Sequence, residues 1–116
     1  MQYLLLIYQN DKEFGKLSEA EKGRIYQGYG PFTQSIQKSG HLRAGAGLKP
    51  VDTATTVRVR GGKTLSTDGP FAETKEQLSG FYLVEAKDVD EAIAIAARIP
   101  SAGIGSIEVR PTIAPM

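Results

Sequence analysis

Apolar residues run without interruption from Tyr3 to Tyr8, between Gln2 and Gln9. A short continuous run of this kind, rich in β-formers, predicts a strand covered on both faces. A polar stretch from Gln9 to Leu17 follows, and Ser18 with Glu21 then makes the Ser-x-x-Glu capping box of a helix start. Ile25, Tyr29, Phe32 and Ile36 recur at helical spacing and define one face. Gly28, Gly30 and Pro31 should weaken or kink that helix, and Gly40 is placed to end it. Beyond it the period changes to two. Leu42, Ala44, Ala46 and Leu48 point one way, and Arg43, Gly45 and Gly47 the other, until Pro50 closes the strand.

Thr53 to Arg60, rich in threonine and valine, reads as a third strand, with Val57 and Val59 opposed to Arg58 and Arg60. Gly61-Gly62 predicts a hairpin turn into a short strand near Lys63 to Ser66. Thr67 to Phe71 has loop chemistry, and Leu78 to Ala86 is again a strand. Asp88 caps a second helix with Glu91 as its reciprocal partner, and Pro100 stops it. Val89, Ala92, Ile93, Ala96 and Ile99 are the expected buried stripe. Gly105 to Arg110 is a last strand, and Pro111 with Pro115 marks a loose tail. This order predicts a ferredoxin-like βαββαβ fold of the α+β class, an antiparallel sheet with both helices on one face. Residues 1–116 form a single domain in this reading. The helices can hide Tyr3, Leu5 and Ile7 or Leu4, Leu6 and Tyr8, but not both sets. A second copy of the same sheet is the expected cover, which makes a homodimer.

Composition narrows the function classes. With 41% hydrophobic and 23% charged residues, the chain falls among ordinary globular domains. It has no cysteine, which excludes a disulfide framework, a zinc–thiolate site and a cysteine nucleophile, and suits a reducing, cytoplasmic setting. Fourteen basic residues against 13 acidic ones leave a net charge of +1, too small an excess for a nucleic-acid partner. The apolar patch at the start is too short to cross a bilayer and lacks a basic leader, so neither membrane nor export is expected. Neither a P-loop nor a dinucleotide fingerprint is present, and no cofactor is expected.

Candidate chemistry concentrates in Asp68-Gly69-Pro70-Phe71-Ala72-Glu73-Thr74-Lys75-Glu76. The structural alternative is that Asp68 braces the loop backbone, Phe71 anchors in the core, and Glu73, Lys75 and Glu76 form a solvated charge run. His41, the only histidine, is a candidate general base with Asp68 as its orienting carboxylate; as a structural residue it would instead cap a helix C-terminus. Arg58 offers a planar fork to a small anionic ligand, and Tyr8 a phenol to the same cleft. One histidine among scattered carboxylates makes a poor transition-metal site.

The run from Asp68 to Pro100, followed by IEVRP at Ile107 to Pro111, closely resembles the DGPF-type branch of the YCII-related family. The upstream GHLRAGAGLKP and ATTVR segments and the opening YLLLIY resemble it as well. The resemblance implies a ferredoxin-like unit that pairs through its sheets into a dimeric α+β barrel. It also implies an accessory role beside alternative sigma factors, with a sigma-factor-linked partner. In the wider family a histidine–aspartate pair lines a cleft and, in some members, moves protons on small ring compounds. The resemblance and the residues together leave three functions open: a self-paired accessory or small-ligand-binding domain, an acid–base lyase or isomerase using His41 and Asp68, and an assembly unit whose sheet pairs with another protein's sheet.

Overall fold

The computed structural model describes residues 1–113. The tail expected from Pro111 onward includes residues 114–116, which lie outside the described residues. The chain runs β1 (Gln2–Gln9), α1 (Asp11–Gly15), α2 (Glu19–Lys38), β2 (Leu42–Gly47), β3 (Thr55–Arg60), β4 (Lys63–Asp68), β5 (Gln77–Glu85), α3 (Val89–Ala96) and β6 (Ser106–Pro111). Strands β2, β5, β1 and β6 lie side by side in that order, every neighbouring pair antiparallel. This is an α+β fold with the order expected of a βαββαβ unit. Strands β3 and β4 pair with each other as a separate ribbon inserted between β2 and β5.

The helix ends follow from local chemistry. Ser18 accepts the Glu21 N–H at 3.1 Å, and Asp88 accepts the Glu91 N–H at 2.9 Å. Gly40, at φ +80°, closes α2: the His41 N–H reaches the Ile36 carbonyl and the Gly40 N–H reaches that of Gln37. Gly28, Gly30 and Pro31 do not break α2, which is assigned as one helix from Glu19 to Lys38. Packing of Phe32 and Ile36 into the core outweighs the local penalties. The polar stretch after β1 holds one element the pattern did not suggest, the short α1, started by Asn10 accepting from the Glu13 N–H.

Tyr3, Leu5 and Ile7 of β1 are buried with Tyr82 and Val84 of β5 under Phe32 and Ile36 of α2. Ala92, Ile95, Ala96 and Ile99 complete this core from the α3 side. The expected α3 stripe is therefore corrected at two positions. Val89 and Ile93 are 46% and 50% exposed, while Ile95 is buried. Positions 92, 95, 96 and 99 form one i, i+3, i+4, i+7 face, and 89 and 93 lie on the adjoining column.

Strand β2 also departs from simple alternation. A register shift between Leu42 and Ala44 puts Leu42 opposite Val84, and Gly45 and Gly47 opposite Tyr82 and Gly80, all on the helix side. Ala44 and Ala46 consequently face the other side, beside Leu83 and Phe81. A bulge of this kind reverses the parity of every later side chain. On that outer side lie Leu4 and Leu6, half-buried, opposite Leu83 and Phe81.

The β3–β4 ribbon turns at Gly61-Gly62, both at positive φ (56° and 76°), the mirror-image turn that matches strand twist. Its side chains are largely open to solvent, with Val57 and Val59 60% and 59% exposed. The radius of gyration is 16.0 Å, against roughly 13 Å for a compact chain of this length. The ribbon and the flat 47 × 41 × 19 Å outline account for the excess.

Candidate functional site

The Asp68–Glu76 segment begins where β4 ends. Asp68 is an exposed strand residue paired with Thr55, one step before the loop it was expected to brace. The turn comes at Gly69, whose φ of +108° suits glycine. Its N–H donates to the Ala54 carbonyl at 2.7 Å, and its carbonyl accepts from Thr56 Oγ1 at 2.9 Å. Phe71 is 80% exposed, so it does not anchor in the core of this chain. It receives Arg58 instead, whose guanidinium carbon sits 5.8 Å from the ring centroid, a cation–π contact.

A cleft of about 370 Å³ opens beside this turn, between Asp52 on one wall and Gly69, Pro70, Glu73 and Thr74 on the other. Its only charged lining groups are carboxylates, the wrong sign for the expected small anion. Gln77 ties the end of the loop down, donating to the Thr74 carbonyl at 2.6 Å and accepting from the Asp11 N–H at 3.0 Å. Glu76 accepts from Ser106 Oγ at 3.0 Å. Lys75 points to solvent and does not line the cleft. Tyr8 lies on the outer side of the sheet, between Leu78 and Ser106.

His41 does not join Asp68 within the chain. Its Nδ1 lies 2.6 Å from Ser39 Oγ and its Nε2 lies 3.2 Å from Glu91 Oε1. The backbone fixes the residue as firmly, since the His41 carbonyl accepts from the Glu85 N–H at 2.7 Å. The histidine therefore links the C-terminal end of α2 to the capping box of α3. Glu91 also accepts the Lys87 N–H at 3.0 Å. That N–H holds the Glu91 carboxyl below its ordinary value; burial opposes the shift, and the His41 ring adds to it. The carboxylate partner of His41 was missed because Glu91 already had a complete explanation as a helix cap.

A second depression, of about 230 Å³, lies on the helix side, where Tyr29 and Thr33 of α2 overhang Gly45 and Gly47 of β2. Thr33 Oγ1 and the Tyr82 hydroxyl share a hydrogen bond at 2.7 Å, and Tyr29 and Ser101 share one at 2.6 Å. Burial raises the Tyr29 phenol above its ordinary 10.0, against the pull of Ser101. The signal for this site in the sequence is the pair of glycines at 45 and 47, two same-parity positions without side chains in a strand. No helix among the described residues is long and apolar enough to cross a membrane.

An uncharacterized protein of Rhizobium meliloti (strain 1021) is 38% identical over 113 residues, covering 96% of this chain and 91% of the relative. The YCII-related domain matches residues 1–115, and the chain belongs to the YCII-related family.

Proposed function

We propose that this chain is a self-pairing accessory domain, in which two copies stack through the uncovered face of the sheet into a dimeric α+β barrel. The observation that carries the reading is the outer face itself. Leu4 and Leu6 pair with Leu83 and Phe81 at its centre, with Ala44 and Ala46 alongside. Toward the β6 edge the same face carries Glu108 and Arg110, which neutralise one another at 2.6 Å. An apolar centre beside a polar edge is the anatomy of an interface, and a two-fold axis lets one such patch meet itself.

Size sharpens the reading. Four strands about 4.8 Å apart and six to nine residues long make a flat footprint on the order of 450 Å². A standard interface needs about 800 Å² per partner. In this reading the β3–β4 ribbon supplies the remainder, since an isolated hairpin is marginal in water and this one exposes Val57, Val59 and Leu65. The DGPF-type loop at its base would then face the partner copy, with Phe71 covered in the assembly. An accessory role beside an alternative sigma factor is the setting that the DGPF motif implies. An acid–base enzyme built on His41 and Asp68 has less support, because both ring nitrogens of His41 are engaged by Ser39 and Glu91.

The absence of native cysteine makes a clean test. A single Leu6→Cys variant treated with a short bismaleimide should give a covalent dimer, while Glu21→Cys on the solvent side of α2 should not. Equal linking of both variants, or of neither, would defeat the proposal.

A further inference from the structure

The depression under α2 is on the opposite side of the sheet from the pairing face, so a role for it does not depend on self-pairing. Its existence traces to three glycines. Beyond Leu42, the inward positions of edge strand β2 are Gly45 and Gly47, opposite Tyr82 and Gly80. Two of the three are demanded by packing. A Cβ on Gly45 would lie 2.8 Å from Cδ1 of Tyr82, and one on Gly80 would lie 2.9 Å from the Ala46 carbonyl oxygen. Gly47 is different. A Cβ there would meet nothing within 4 Å, and its φ is not positive. Neither packing nor backbone conformation requires glycine at 47, yet the position is left without a side chain on the inward face of a strand. The space it leaves is part of the 230 Å³ depression.

The lining defines what fits. The walls are the rings of Tyr29 and Tyr82 with Ile7 and Leu42, and no charged side chain contributes. A charged ligand would lose hydration there with no counter-charge to replace it. The volume is below the roughly 300–1,000 Å³ of pockets for drug-sized molecules, which leaves room for a single ring. The polar capacity is specific. Thr33 and Tyr82 bring two hydroxyl protons to a pair that consumes one of them, so one O–H is left to donate. We propose that the space between α2 and the glycines of β2 is a binding site for a small, neutral, single-ring molecule carrying one hydrogen-bond acceptor, held between Tyr29 and Tyr82 with its acceptor at the Thr33–Tyr82 hydroxyl pair.

Acetophenone and ethylbenzene are suitable probes, alike in size and differing in the acceptor. Both are titrated into the native protein and followed by amide chemical shifts. Acetophenone should shift Gly45, Gly47 and Gly80 saturably, with a dissociation constant of about 1 mM or tighter. Thr33→Val combined with Tyr82→Phe, which removes both hydroxyls of the pair, should weaken acetophenone by about fivefold, the worth of one neutral hydrogen bond, and leave ethylbenzene unchanged. Gly47→Leu, which places a side chain in the empty space, should weaken both probes at least tenfold. Gly47→Ala adds only a methyl group and gives the same reading at smaller amplitude if the leucine variant fails to fold. Shifts that never saturate, shifts centred away from these glycines, or a folded Gly47→Leu or Gly47→Ala variant that binds as the native protein does would each overturn the proposal.

Discussion

The two faces of the four-stranded sheet carry similar apolar side chains and meet different fates. Tyr3, Leu5 and Ile7 are 3%, 0% and 3% exposed beneath α2 and α3. Leu4, Leu6 and Tyr8, which alternate with them, are only half-buried, with both long helices on the opposite side. The inner face is covered by the chain's own helices, which leave the glycine-floored gap at the β2 edge and another depression at the β6 edge, between α3 and Ile107 and Val109. The outer face is only partly buried in one copy, although it holds the same kind of surface that stabilises the core at about 25 cal/mol per Å². The difference is that the chain's own helices cover one face of β1 and leave the other partly open.

Paired truncations probe this difference most strongly. Leu5→Ala should cost about 2–5 kcal/mol in urea denaturation, as expected for a buried leucine that leaves a cavity. Leu6→Ala, one residue along, should cost clearly less at concentrations low enough to hold separate copies apart. Equal losses would mean that the outer face is already covered within one chain.

A second, smaller effect concerns how the inner cover is held in place. Glu91 has a lowered carboxyl pKa in the folded protein, so its contribution is full above the ordinary value of 4.5 and is lost as pH falls through the lowered one. Glu91→Gln should therefore flatten part of the acid side of the stability–pH curve, read by thermal unfolding between neutral and acidic pH. An unchanged acid limb would remove Glu91 from the latch between His41 and α3. The smallest expected effect is at Ile93. Because this residue is off the buried stripe, Ile93→Gln should change stability by no more than about 0.5 kcal/mol, whereas Ile95→Gln should be severe.

Much of this architecture was legible from periodicity and caps. Ser18 with Glu21 and Asp88 with Glu91 marked both long helix starts, Gly61-Gly62 marked the ribbon turn, and the alternation through β1 foretold its two faces. What escaped involves events that local pattern does not carry. The bulge near Arg43 reversed the parity of β2, so Ala44 and Ala46 changed sides and Gly45 and Gly47 became the floor of a depression. The site residues were harder still. Arg58 and Phe71 do meet, but His41 chose Glu91, a residue distant in sequence whose capping role concealed a second use.

The central claim is that the outer face is completed by another copy of this chain, and sedimentation velocity at micromolar concentration tests it directly. The native protein should sediment at twice its 12.5 kDa chain mass, and Leu6→Asp should sediment as a folded single copy. A native protein that remains a single copy across the concentration range, or a Leu6→Asp variant that still pairs, would contradict the account.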